Sequence, residues 1–335
     1  MITRCKKYVA IIPLVLLFHL SHSQSEPRYL FRIQEDNDLF NVIGGITDWS
    51  YSNGTRFDFF FTKQQNRKPS FYEWLPSAGK ESKRIYAWSL LQMMVTPKNL
   101  WTSLYQPNDY NYAGALLVSH SLYSLNSSKR LAVQTELSGG IRGPYSFAKQ
   151  TQTEIHSIVQ DPMPRGWNNQ LKTQLLANIN FTVEKGMLSL GNVVEVIGGV
   201  QWRVGSFMDA MTFYPLVRIG KMSSYFEGPI NSQGSFSRYG RMVKTQYYFF
   251  FKPSASFVAY NALVEGAREH VTHRPGIESV GSDKSLAHRV SDMQAGIVIS
   301  HGNVSLGYAQ TFSTPYLKDL YNHSFGTITF SMRWL

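Results

Sequence analysis

From Leu175 to Val183 the apolar side chains fall on odd positions, Leu175, Ala177, Ile179, Phe181 and Val183, while Asn178, Asn180 and Thr182 hold even ones. A period of two marks a strand, whose successive side chains point to opposite faces. The alternation recurs at Phe57, Phe59 and Phe61 around Arg56 and Asp58, at Leu131, Val133, Thr135 and Leu137, at Met293 to Ile299, and at Val304 to Tyr308. In the last strand Ile328, Phe330, Met332 and Trp334 share one face, and Thr327, Thr329, Ser331 and Arg333 the other. The spacing allows about twelve such strands. Tight turns such as Glu184-Lys185-Gly186 and His301-Gly302-Asn303 would alternate with long loops at 39–50, 96–111, 142–170, 266–286 and 314–323.

One apolar and one polar face per strand suit a soluble sandwich or a membrane barrel equally well. Three features favour the barrel. Arg4, Lys6 and Lys7 precede an apolar run from Val9 to Leu20 and the small residues of Ser21-His22-Ser23, the layout of a secretory signal peptide over residues 1–23. That run is too short to cross a bilayer of about 30 Å. Many strands end in aromatic residues (Tyr247, Tyr248, Phe249; Trp202; Trp334), and Arg and Glu stand on strand faces where a dry core has no room for them. The expected fold is therefore all-β, a transmembrane antiparallel β-barrel of about twelve strands over residues 24–335, with no second domain and no internal repeat. An even strand number brings both termini to the periplasmic side and makes the long loops extracellular. Segment 221–245 would be an unusually long periplasmic connection.

Composition narrows the partners. The 335 residues are 16% charged, 43% apolar and 14% aromatic, against roughly a quarter charged in ordinary soluble domains. No apolar run after residue 30 reaches the roughly 18 residues of a spanning helix, and the aromatic content is far above that of disordered chains. The formal net charge is +11, and removal of the three leader cations leaves 30 basic residues against 22 acidic ones. A positive surface suits anionic lipid or saccharide phosphate. Nucleic acid fits the charge but not the export signal, and nothing points to a protein partner. The single cysteine, Cys5, lies in the leader ahead of the apolar run. It provides no disulfide, zinc site, nucleophile or lipid anchor for the exported chain.

Candidate chemistry lies at strand ends and in loops. Glu35-Asp36-Asn37-Asp38 closes the first strand, where clustered oxygens either hold a hard cation or form a solvated acidic turn. Asn37 and Asp38 converge only if the strand breaks or bulges between them. Asp48-Trp49-Ser50-Tyr51-Ser52-Asn53-Gly54 begins the next strand, and Asn53-Gly54 on its own reads as a turn. Segment 150–159 predicts a short helix, with Ile155, Ile158 and Val159 on one side and Gln152 and His156 at i and i+4 on another. His156 is either a general base near neutral pH or an exposed loop histidine. His270 and His273, after Glu269, have a zinc-like spacing but lack a third ligand. There is no GxSxG elbow, GxGxxG or P-loop.

Taken together, EDNDLF (35–40), DWSYSNG (48–54), QMMVTP and PNDYNYAG (92–97, 107–114), GP and QTEIH (143–144, 152–156), RGWNNQL (165–171) and RIG (218–220) resemble the outer-membrane lipid A 3'-O-deacylase family. The resemblance implies a calcium-dependent esterase on a barrel of about twelve strands in the bacterial outer membrane, acting on lipid A of lipopolysaccharide. It places the family's Asn-Asp pair at Asn37 and Asp38, both candidate metal ligands, its strand-two hydroxyl at Ser52, and its helix Gln and His at Gln152 and His156. The acidic residue that follows the histidine in some members would fall at Asp161 or Pro162. The implied chemistry has His156 take a proton from water while calcium near Asp38 polarises the 3'-linked acyl ester. Asn37 and Ser52 would bond the oxyanion or the metal, with no covalent intermediate. The phosphates of lipid A would give Lys98 and Arg165 a headgroup role.

Two other readings stay open. Ser52-Asn53-Gly54 fits the end of the His-x-Ser-Asn-Gly pattern of outer-membrane phospholipase A1, but Ser50 stands where that pattern needs its histidine. A non-enzymatic porin-like barrel is the other, although a pore has no use for Asn37, Asp38, Ser52, Gln152 and His156 together.

Overall fold

The computed structural model describes residues 28–43, 50–62, 74–227, 245–265 and 285–334. Twelve antiparallel strands form a closed barrel: β1 (Tyr29–Asn37), β2 (Ser50–Phe61), β3 (Lys83–Thr96), β4 (Ala113–Asn126), β5 (Leu131–Arg142), β6 (Gln174–Leu190), β7 (Val194–Gly205), β8 (Met208–Lys221), β9 (Thr245–Asn261), β10 (Arg289–His301), β11 (Val304–Ser313) and β12 (His323–Trp334). Each pairs with its neighbours in sequence, and β1 closes on β12 with Tyr29 opposite Trp334 and Asn37 opposite Gly326. Closure satisfies every strand edge, which a bilayer demands. No helix among the described residues is long and apolar enough to cross a membrane.

The apolar stripes read from the sequence face outward. Leu175, Ile179, Phe57, Phe59, Ile297, Ile299 and Leu306 are exposed, while alternate residues such as Leu176, Asn178, Asp58 and Val298 are buried in the lumen. The charges that a dry sandwich core could not hold lie inside, paired. Asp58 bridges Arg32 and Arg56 at 2.7 and 2.8 Å, and Arg56 reaches Glu136 at 3.0 Å. Two cations and two anions thus neutralise one another within one hydrogen-bonded group.

The lumen is filled above and below this layer. At the end carrying the termini, Met222, Tyr225 and Phe226 follow β8, fold inward and join Leu30, Phe60, Ile85, Tyr123 and Phe250 in one apolar cluster. Residues 222–226 thus supply a stopper, at the end where β2 finishes and β3 begins. At the opposite end the helix α2 (Ala262–Glu265) and residues of 314–322 pack with Tyr110, Ala113 and Val258. Tyr110 accepts from the Tyr316 backbone at 3.0 Å, and Tyr321 donates to Asp109 at 2.7 Å. Burial and then that carboxylate push the Tyr321 phenol up, so it remains the donor. A lumen packed this way predicts no steady single-channel conductance in planar bilayers, and openings of porin size would contradict the packing described.

Two local expectations are corrected. Glu184-Lys185-Gly186 does not turn: β6 runs on to Leu190, because the chain there stays paired with β7 across a bulge between Gly186 and Leu188. The turn comes at residues 191–193, where Gly191 has φ +57° and Val193 bonds back to Leu190. Asn53-Gly54 lies inside β2, where ladders to β1 on one side and β3 on the other outweigh its turn preference. The His301-Gly302-Asn303 turn forms, with Gly302 at φ +57°. Residues 1–23, where a signal peptide is expected, and Asp48-Trp49, His270 and His273 lie outside the described residues.

Candidate functional site

One rung of the barrel wall, near the end opposite the termini, carries the chemistry. Gln310 of β11, Gly326 of β12, Asn37 of β1, Asn53 of β2, Met94 of β3 and Gly114 of β4 are successive cross-strand partners. Directly paired residues present their side chains on the same face. Two-residue steps down the strands lead from Asn53 to Phe57 and Phe59, from Met94 to Leu90 and Trp88, and from Gly114 to Val118, all exposed. The polar rung is therefore on the outer, lipid-facing wall and not in the lumen.

Two pieces of chain lie on this wall, one over each glycine. A Cβ on Gly326 would overlap the Phe40 backbone, and a Cβ on Gly114 would overlap Ala148 Cβ and Ser146 Oγ. Over Gly326 sits the 3-10 turn Asp38–Phe40, which begins as β1 ends. That break releases Asp38 from the strand alternation that would have parted it from Asn37. Over Gly114 sits the helix α1 (Ala148–Val159), whose start is tied down by Gln92 Nε2 donating to the Ser146 carbonyl at 2.7 Å. Ala148, Gln152 and His156, at i, i+4 and i+8, form the buried stripe of α1, while Ile158 and Val159 are exposed. The polar stripe faces protein and the apolar one faces away, the reverse of a helix on a water-soluble core.

On these pieces and on the wall between them lie several buried polar groups. Ser52 is the extra residue of a β-bulge, since Tyr51 pairs with Val95 and Asn53 with Met94. Bulges re-aim side chains and recur beside active sites. Ser52 Oγ, Asn53 Oδ1 and Gln152 Nε2 are buried without a hydrogen-bond partner. Buried orphans of this kind are uncommon and call for an explanation. Asn53 Nδ2 donates to Glu35, which directs its orphan oxygen the other way. Gln152 Oε1 accepts from Trp167 Nε1 at 2.8 Å, which leaves the donor, Nε2, as its unpartnered end. Trp167 is itself packed with Met94, Leu100, Tyr112 and Ala148, its ring 5.0 Å from that of Tyr112.

His156 is held in one tautomer. After α1 the chain passes through Gln160 in the left-handed region and brings the Pro162 carbonyl to 2.6 Å from His156 Nδ1. A carbonyl only accepts, so in the neutral ring Nδ1 carries the proton and Nε2 is the basic nitrogen. Asp161 Oδ2 lies 3.9 Å from Nδ1, too far for a hydrogen bond. The orienting position beside the histidine is thus filled by the Pro162 backbone, with the Asp161 charge behind it.

The structure brings Asn37, Asp38, Ser52, Gln152 and His156 to this outer-wall region. Lys98 and Arg165 are exposed on two loops joined where the Arg165 amide donates to the Leu100 carbonyl at 2.9 Å. The Lys98 ammonium stands 5.7 Å from the Tyr321 ring. The sequence carries no site signal of its own at Gln92 or Trp167, although both lie in matching stretches, and it reads Asn53 only as half of a turn. No cluster of three or more His, Cys, Asp or Glu able to hold a metal occurs among the described residues. The donor set is instead a carboxylate with neutral oxygens: Asp38, the orphan Ser52 Oγ and Asn53 Oδ1, and Asn37, whose Oδ1 also caps Leu39 N at 2.8 Å. Such a set fits a hard cation of the calcium type better than zinc.

One solved structure shares this architecture. Among solved structures, LpxR from Salmonella typhimurium superposes with a TM-score of 0.73 at 12% identity, covering 91% of this chain and 100% of that one, a likeness of fold. The beta domain of the Bordetella autotransporter Brka gives 0.43 at 8% identity, covering 92% of this chain and 99% of that one. No curated protein matches. The sequence profile described as outer membrane protein LpxR matches residues 10–334, and with nearly the whole length matched the chain belongs to the LpxR family of outer-membrane proteins.

Proposed function

We propose that this protein is a calcium-dependent lipid A deacylase of the outer membrane, hydrolysing the 3'-linked acyl (acyloxyacyl) ester. The family supports an outer-membrane lipid A deacylase. The observation that carries the finer reading is the position of the polar groups on the lipid-facing wall, between α1 and the Asp38–Phe40 turn, where an outer-leaflet lipid can reach them without leaving the membrane.

In this reading His156 Nε2 takes a proton from the attacking water, and Pro162 holds the ring while Asp161 stabilises the imidazolium as it forms. Gln152 Nε2 donates to the oxygen on which negative charge develops. Asp38 with Asn37, Ser52 and Asn53 would hold the calcium, which when bound supplies Lewis-acid polarisation of the ester carbonyl. Ser52 is a ligand or donor, not a nucleophile: no base bonds its Oγ, and without one a serine is inert. This also weighs against a phospholipase A1 mechanism. Lys98 and Arg165, on the outer loops, would meet lipid A phosphates.

The test is mass spectrometry of lipid A from cells expressing the chain. Loss of one 3'-linked unit is expected, abolished by a chelator, restored by calcium, and absent in Asp38→Ala. Unchanged lipid A beside a correctly inserted barrel would reject the reading. Chelator-insensitive turnover would reject its metal.

A further inference from the structure

We propose that Trp167 is a positioning residue for the hydrolysis, setting which end of the Gln152 amide faces the reacting ester. The inference rests on the deacylase reading and adds to it a residue that touches neither substrate nor metal.

A glutamine amide has two ends of nearly equal shape and opposite hydrogen-bonding sense, and only the NH2 end can stabilise an oxyanion. On α1 itself nothing selects between them. Trp167 does, because an indole N–H donates and cannot accept. With Nε1 2.8 Å from Oε1, the amide presents oxygen to the indole and directs Nε2 away from it, where it has no partner in the protein. The flipped amide would set donor against donor in a site where Trp167 is 1% and Gln152 3% exposed, and water is not at hand to repair the mismatch. The indole cannot swing aside, being packed at a tilt against Tyr112 and enclosed by Met94, Leu100 and Ala148. That packing ties it to the same rung of the wall as Asn37 and Asn53. The 3-10 turn Trp167–Asn169 thus acts on the chemistry through a single hydrogen bond.

The decisive variant is Trp167→Phe, which keeps an aromatic ring against Tyr112 and removes the N–H donor together with the five-membered ring that carries it. Against lipid A in mixed micelles its kcat is expected to fall by roughly 10-fold, less than the roughly 100-fold typical of removing an oxyanion donor outright, with KM unchanged. The same substitution in a Gln152→Ala background is expected to cost nothing further, because the residue through which Trp167 acts is gone. Gln152→Glu, which still accepts from the indole but has no N–H, is expected to be as impaired as Gln152→Ala. In 15N-tryptophan-labelled protein the Trp167 indole resonance should lose its hydrogen-bonded shift in Gln152→Ala and keep a hydrogen-bonded, equally or further downfield position in Gln152→Glu, whether or not substrate is present.

Equal losses from Trp167→Phe in both backgrounds would reveal a merely structural role and overturn the inference. So would normal kcat in Trp167→Phe, full activity in Gln152→Glu, or an indole resonance indifferent to Gln152→Ala. An indole resonance that moves as expected in Gln152→Ala, beside wild-type protein that leaves lipid A intact, would instead sink the deacylase reading, and with it the catalytic use of the bond.

Discussion

Replacing His156 by asparagine is expected to abolish deacylation while leaving a folded, heat-modifiable barrel in the membrane. Asparagine is the informative choice because its Nδ2 can occupy the place of the ring Nδ1 and keep the hydrogen bond to the Pro162 carbonyl, which in the wild type is 2.6 Å long. What it lacks is the second nitrogen. If His156 acts as the general base, the loss is that of the proton acceptor alone, on the order of 100- to 10,000-fold in kcat, and His156→Ala should be no less impaired. The barrel should be indifferent, since α1 lies outside the closed sheet and contributes no ladder bond to it. Turnover by His156→Asn within a few-fold of wild type, measured by release of fatty acid from lipid A, would remove His156 from the chemistry and reduce it to an anchor for the 160–162 turn.

The parts of this site that were legible in the sequence are those governed by local rules. Period-two alternation gives the strands directly, and the polar stripe of 150–159 gives a helix whose observed start is only two residues earlier. What alternation leaves open is which face meets the solvent around the barrel. The exposed Phe57, Phe59 and Ile297, with Arg56 and Asp58 paired inside, answer it. Longer-range features were not readable. Whether Asn53-Gly54 turns or stays extended depends on Asn37 and Met94, its partners on other strands. The Ser52 bulge is a mismatch of register against β3 and has no signature within β2. Trp167 and Gln152 are 15 positions apart in one loop, and only the fold of that loop makes them partners.

The direction of α1 follows from the same physics as the strands. A helix on a soluble core buries its apolar stripe, but here the protein beneath is a polar rung and the surroundings are lipid, so Gln152 and His156 turn inward while Ile158 and Val159 face outward. A site so placed is sheltered from bulk water by the wall on one side and the helix on the other. That shelter gives each oriented donor and acceptor more effect than it would have in the lumen of an open pore.

The helix must also sit at the correct height above the wall, and Gly114 sets that height. Gly114→Ala is expected to lower deacylation by about 100-fold or more with the barrel intact. The added Cβ would overlap Ala148 Cβ and Ser146 Oγ, so α1 must retreat until the atoms reach ordinary contact at roughly 3.5–4.0 Å, a shift of about 1 Å or more. Gln152 and His156 move with it, one and two turns further along, while Asn37, Asp38 and Ser52 stay with β1 and β2. Misplacement by about 1 Å is enough to cost roughly 100-fold in rate. Gly139→Ala is the control: it faces the same lipid side on β5, and its Cβ would meet nothing nearer than the Leu176 carbonyl at 3.9 Å, so it should insert and turn over normally. Equal activity in the two variants would show that the seat of α1 on the wall does not position the chemistry. A loss confined to Gly114→Ala, with the same heat-modifiability in both, would show that two halves of one active site, on helix and on sheet, are brought into register by the absence of a single methyl group.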